Sequence, residues 1–130
     1  MFSPTFSYFC SFVILSVISD STQHVSPKLD EFRSKRFQKL GTKFSLLCSP
    51  QEGSKPFRFE WRKDNILLKS IQVKYKIDTE DDDSQFNIFT LDIEDTGNYS
   101  CTVKNEHGSD SQYTFLIVQG LTFFPKLIWF

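Results

Sequence analysis

Histidine is nearly missing from this chain: only His24 and His107 occur among 130 residues. No Gly-x-Ser-x-Gly elbow, His-Glu-x-x-His helix, phosphate-binding glycine loop or Cys-x-x-Cys pair occurs either. Each of those patterns holds reactive groups at a spacing that scattered residues do not supply. The sequence therefore reads as a non-enzyme, with no catalytic residues, no cofactor site and no metal-ligand set. An excess of either charge is also lacking. Fifteen Lys and Arg face sixteen Asp and Glu, for a formal net charge of −1, so no global field draws in nucleic acid or an acidic membrane, and no reader motif for nucleic acid is found. No apolar run reaches the roughly 20 residues that a membrane span requires.

Three cysteines are present, an odd number for an oxidising compartment. Cys10, however, lies within the apolar run Phe6 to Ile18, whose length fits the h-region of a secretory signal. Residues 1–19 are expected to be a signal peptide, with Val17 and Ser19 small enough for a cleavage site. The n-region lacks Lys and Arg, which leaves an uncleaved anchor or a spurious start as the competing reading. Removal leaves an even pair, Cys48 and Cys101, and places the chain in the secretory pathway, destined for the outside of the cell or its surface.

Aromatic residues are plentiful, with fifteen Phe, and the middle of the chain alternates. Residues 20–26 are expected to be a flexible leader, residues 27–120 a single folded domain and residues 121–130 an apolar tail of uncertain status. Phe44, Leu46 and Cys48 alternate with Lys43, Ser45 and Leu47, and Phe57, Phe59 and Trp61 alternate with Arg58, Glu60 and Arg62. Period two is the mark of half-buried strands. Between them, residues 50–56 carry turn chemistry. Residues 69–77 predict another strand, with Val73, Tyr75 and Ile77 alternating with Lys74 and Lys76, and Phe86 and Ile88 face inward in the next. The run Phe115 to Val118 is apolar throughout, so its faces stay unassigned. Asn105 to Gly108 predicts a hairpin turn that uses the conformational freedom of Gly108.

Two charged clusters invite sharper readings. Arg33, Lys35, Arg36 and Lys39 could form a patch for a heparin-like or acidic partner; the plainer reading is an edge strand whose positive charges discourage unwanted pairing. Asp78, Glu80, Asp81, Asp82 and Asp83 could attract calcium. The spacing lacks the glycine and distal glutamate of an EF-hand loop, and a solvated turn is the plainer reading.

The stretch Asp95-Thr96-Gly97-Asn98-Tyr99-Ser100-Cys101 stands 53 positions after Cys48, and Trp61 stands 13 after Cys48. Together with Leu40, Gly41, Leu91, Asn105 and Gly108, this spacing resembles the intermediate (I-set) immunoglobulin domains of cell-surface proteins over Pro27 to Gly120. The finer texture, Phe57 to Asp64, Gly97 to Cys101 and Val118-Gln119-Gly120, is most similar to Down syndrome cell adhesion molecule (Dscam) domains of arthropods.

The resemblance implies an all-β immunoglobulin-like sandwich of two antiparallel sheets joined by one Cys48–Cys101 disulfide. It implies a core signature of Trp61, Leu91, Asp95, Gly97 and Tyr99, with Asp95 paired to Lys74 or Lys76 where the family commonly has Arg. It also implies protein recognition, including homophilic cell adhesion and neurite or axon recognition. Asn98-Tyr99-Ser100 is the only N-glycosylation sequon. Asn98 and Ser100 are expected to point outward, and an unmodified Asn is the competing reading. Leu47 and Phe89, apolar on an outward face with Ser45, Gln85 and Asn87, are the candidate interface. The expected partner is a protein, including a second copy of the chain; a secreted single-domain protein that binds a soluble or microbial ligand is the alternative, and an I-set domain of a muscle or matrix scaffold is a second.

Overall fold

The computed structural model describes residues 24–69 and 72–120. The expected signal peptide (residues 1–19), the first part of the leader (residues 20–23) and the apolar tail (residues 121–130) lie outside the described residues.

The chain folds as a β-sandwich. In order, the strands are β1 (Lys28–Leu29), β2 (Lys35–Lys39), β3 (Phe44–Cys48), β4 (Pro50–Glu52), β5 (Arg58–Lys63), β6 (Ile66–Leu67), β7 (Tyr75–Thr79), β8 (Ser84–Ile88), β9 (Gly97–Asn105) and β10 (Gly108–Gln119), with one 3-10 turn at Ile93–Asp95. One sheet has the order β2-β10-β9-β5-β6 and the other β3-β8-β7, with β1 and β4 forming a separate short pair. The pairings are antiparallel, with one departure from expectation: β2 runs parallel to β10, Phe115 beside Lys35 through Gln119 beside Lys39. Parallel entry lets the chain use one long strand as a template and then cross to the other sheet through Leu40 to Lys43.

The core follows from the period-two pattern. Phe44, Leu46 and Cys48 from one layer and Trp61, Tyr99, Cys101 and Val103 from the other are buried. The Trp61 ring stacks on Phe86 at 5.5 Å, and Phe86 lies 5.5 Å from Tyr99 and 5.3 Å from Tyr75. Trp61 also has to satisfy a buried N–H; its Nε1 donates to Ser84 Oγ at 2.8 Å, which explains a fully buried serine at the start of β8. The Cys48–Cys101 disulfide joins the two layers.

Several local expectations are corrected. Pro50–Glu52 is a strand rather than a turn, paired antiparallel with β1; Pro50 is tolerated because it opens a short edge strand. The strand expected over residues 69–77 is Tyr75–Thr79, and Val73 is fully exposed before it. Tyr75 pairs with Ile88, the last residue of β8, so Val73 has no partner strand to pack beside. Gly108 does take a positive φ, +158°, as expected of its turn, while Gly41, Asp64 and Asn65 carry the left-handed conformation at φ of +82°, +47° and +67°. The run Phe115 to Val118 resolves cleanly, with Leu116 and Val118 buried and Phe115 facing solvent.

Candidate recognition surface

The corner before β9 fixes the sandwich. Tyr99 is buried, and its phenol donates to the Asp95 carbonyl at 2.7 Å. Burial, followed by the nearby carboxylates of Asp95, Asp64 and Asp92, pushes that phenol well above the usual tyrosine range. The Asp95 carboxylate accepts from the Asp92 backbone N–H at 2.8 Å and meets Lys74 Nζ at 3.0 Å. Lys74 also pairs with Asp92, whereas Lys76 pairs with Asp78 instead. Lys74 therefore supplies the partner that the sequence left open between two lysines. Its ammonium bonds to Asp92 and Asp95, which raises the lysine pKa. The same contact is the main cause of a lowered Asp92 pKa.

Two side chains crowd Gly97 here. A Cβ at this position would lie 2.9 Å from an Asp64 carboxylate oxygen and 3.0 Å from Lys63 Cε. Asp64 comes this close because its Oδ1 accepts from the Asn98 backbone N–H at 2.9 Å, while its own N–H donates to the Asn98 carbonyl at 2.8 Å. Leu91 is buried beneath the corner.

The sequon meets the structure unevenly. Asn98 is half-buried, but Ser100, expected to be exposed, is only 5% accessible. Alternation does send Ser100 to the outer face, as expected; there it lies in a central strand with the larger residues Arg62 and Tyr113 beside it on the neighbouring strands.

The candidate pair Leu47 and Phe89 is exposed, at 54% and 50%, but the structure does not bring the two together. Leu47 faces Gln85 across the ladder, and Ser45 faces Asn87 one step nearer Phe89. Phe89 is therefore four residues along from that level, about 13 Å at the usual rise per residue. The intervening pair is polar, with Ser45 Oγ donating to Asn87 Oδ1 at 2.6 Å. Asn87, expected outward and exposed, is in fact buried by this contact.

A more continuous apolar strip lies on the opposite layer. Tyr113, Phe115 and Ile117 alternate outward along β10, and Phe37 of β2 stands beside Ile117. Phe37 and Tyr113 are both more than half exposed. Sequence reasoning missed this strip because both phases of the 115–118 run are apolar; Phe37, an aromatic inside a basic edge strand, was the available signal. The same face carries Lys35, Lys39, Arg58, Arg62 and Lys104 against Glu60, as their pairing registers show. Glu60 is itself engaged by Lys104 at 3.1 Å and by Arg62 at 3.4 Å. Those two cations, Lys104 foremost, hold its carboxyl below the usual range.

The acidic residues after β7 form a turn, closed by the Glu80 N–H donating to the Asp83 carbonyl at 2.9 Å, and Asp82 pairs with Lys55. Among the described residues no three His, Cys, Asp or Glu side chains are grouped to hold a metal ion. The calcium reading thus has no geometric support. Nor is any helix of the described residues long and apolar enough to cross a membrane.

Comparison with known proteins places this geometry. The family model of the immunoglobulin I-set domain matches residues 27–118. The cell adhesion molecule DSCAM of Rattus norvegicus is 27% identical over 117 residues, covering 86% of this chain and 6% of that protein. The membrane-bound isoform of pro-neuregulin-2 from Homo sapiens is 33% identical over 88 residues, 65% of this chain and 10% of that protein. The chain thus spans a tenth or less of the curated relatives it matches. Among solved structures, the Dscam1 Ig7 domain, isoform 5, superposes with a TM-score of 0.68 at 20% identity, covering 74% of this chain and 99% of that one. An I-band fragment of titin gives 0.67 at 24% identity over 73% of this chain and 33% of its own. At these identities the solved structures speak to the fold alone.

Proposed function

We propose, from the fact that this chain belongs to the immunoglobulin I-set family, that it is an extracellular protein-recognition module of a Dscam-like cell adhesion system. The likeness to DSCAM over most of the chain supports this reading, and the secretory signal expected in residues 1–19 and the sequon at Asn98 agree with it. Adhesion and the recognition of neurites or axons are the processes it would serve.

The observation that carries the reading is the strip of Phe37, Tyr113, Phe115 and Ile117 on the five-stranded sheet. Aromatic side chains in a contiguous exposed patch are what protein interfaces use as anchors. Five basic side chains and one acidic one surround it. Two copies meeting through this face would set like charges against each other, which disfavours a symmetric pair. The strip therefore suits a different protein with an acidic rim. Homophilic contact, which the resemblance implies, is left to the three-stranded sheet bearing Leu47 and Phe89.

Two double variants separate these roles. Beads coated with the secreted domain are tested for adhesion to neural cell surfaces and for aggregation with one another. Phe37→Asp with Phe115→Asp is expected to abolish adhesion to cells and leave bead aggregation intact. Leu47→Glu with Phe89→Glu is expected to do the reverse. Wild-type beads that neither adhere nor aggregate would overturn the recognition role.

A further inference from the structure

The chain has two histidines, 83 positions apart, and the fold places them in contact. His24 Nδ1 lies 3.1 Å from His107 Nε2, both rings exposed, with ring centroids 4.6 Å apart and planes tilted by 55°. His24 belongs to the leader expected to be flexible, whose described end makes several hydrogen bonds to the domain. The Val25 N–H donates to Ser54 Oγ at 3.1 Å, and the Val25 carbonyl accepts from the Ser54 N–H at 3.0 Å and from Asn105 Nδ2 at 2.7 Å. Ser26 packs against Gly108, where an added Cβ would come within 3.0 Å. The leader is thus seated on the turn between β9 and β10. His107 in that turn is oriented through its own backbone N–H, which donates to Asn105 Oδ1 at 2.8 Å.

We propose that His24 and His107 form a two-imidazole site for a first-row transition-metal dication of the zinc, nickel or copper class. The separation fits. With a usual metal–nitrogen bond of about 2.0–2.1 Å, two nitrogens 3.1 Å apart subtend roughly 100° at a shared ion, between the square-planar and tetrahedral angles. The protonation also fits. As the rings stand, one nitrogen donates a proton to the other; when an ion takes the proton's place, the donating ring carries its single proton on its far nitrogen instead, and both facing lone pairs go to the metal. No third protein ligand joins the pair among the described residues, so water fills the remaining positions and the site is open. Imidazole selects this class of ion over calcium and magnesium, which prefer oxygen. The bound ion would clamp the leader to the β9–β10 turn, adding a fixed point at the pole of the sandwich.

The test is titration of the secreted, tag-free domain with Zn²⁺, Ni²⁺ and Cu²⁺, and with Ca²⁺ and Mg²⁺ as controls, by calorimetry. One saturable ion per chain is expected for the first three and none for the controls. The second ring binds an ion already held by the first, so removing either ring is expected to weaken binding on the order of 100-fold. His24→Ala and His107→Ala should each show this loss, and the double variant should show no binding at this site. Both positions are exposed, so circular dichroism is expected to stay unchanged in all three variants. A pair that only stacks would bind no ion saturably, or would bind it equally well in the single variants; either result overturns the proposal.

Discussion

Replacing Tyr99 with Phe removes one oxygen atom from the buried corner and tests what that corner contributes. The phenol donates to the Asp95 carbonyl at 2.7 Å, and both residues are buried. Phe fills the same space but leaves the carbonyl without its donor, which costs about 1–3 kcal/mol. In a domain of this size each kcal/mol lowers the melting temperature by about 4–8 °C. The pH dependence is more diagnostic. The native phenol is held protonated well above the ordinary range, chiefly by burial, whereas an unfolded tyrosine ionises near pH 10. Above that pH the unfolded wild-type chain loses a proton that the native state keeps, so wild-type stability falls by an additional ~1.4 kcal/mol per pH unit. The stabilisation is thus complete below pH 10 and is lost as pH rises. Tyr99→Phe lacks this slope, and every other titrating group is common to both proteins. Urea unfolding at pH 7, 10 and 11 is expected to show a gap that is constant up to pH 10 and then closes. A variant as stable as wild type at pH 7, or a gap unchanged at pH 11, would refute the reasoning.

Three further outcomes are expected. Lys74→Met leaves Asp92 and Asp95 without their ammonium partner. Asp92 has a lowered native pKa, so the stability this pair supplies is present above pH ~4 and lost as pH falls further; wild type and variant are expected to differ in urea midpoint at pH 7 and to converge in acid. Cys101→Ala opens a cross-link between residues 53 positions apart, worth about 4 kcal/mol in the chain-entropy model, a large part of the stability of a small domain. The variant is expected to be retained in the cell, and normal secretion with an unchanged melting temperature would contradict this. Glycosidase treatment of secreted protein is expected to lower its mass, and Asn98→Gln is expected to show no such change; an unchanged wild-type mass would leave Asn98 unmodified.

The parts of the structure legible in sequence are those that only one residue type can fill. Cys48, Trp61 and Cys101 sit where a disulfide and a large ring are needed. Register was less legible. Lys74 and Lys76 differ in the sequence by one strand step, yet only Lys74 reaches Asp95, because it precedes the first ladder residue of β7 and turns toward the corner. The faces of residues 115–118 were unreadable, since both phases are apolar and only the pairing of β10 with β9 separates them. Leu47 and Phe89 were correctly read as exposed but not as distant from each other. Contact between His24 and His107 depends on how the leader crosses the end of the sandwich, which no local pattern encodes.

The covered hydroxyl of Ser100 has a consequence for timing. A transferase that modifies Asn98 must also recognise Ser100, and in the finished domain that residue is 5% accessible between Arg62 and Tyr113. The Asn98 main chain is meanwhile bound on both sides by Asp64. A glycan on Asn98 can therefore be attached only while β9 is still outside its sheet. The occupied fraction then records a race between enzyme and folding, and substitutions elsewhere that delay the seating of β9 would raise it. A glycan at Asn98 would in that way report on assembly, read out as the mass of the protein.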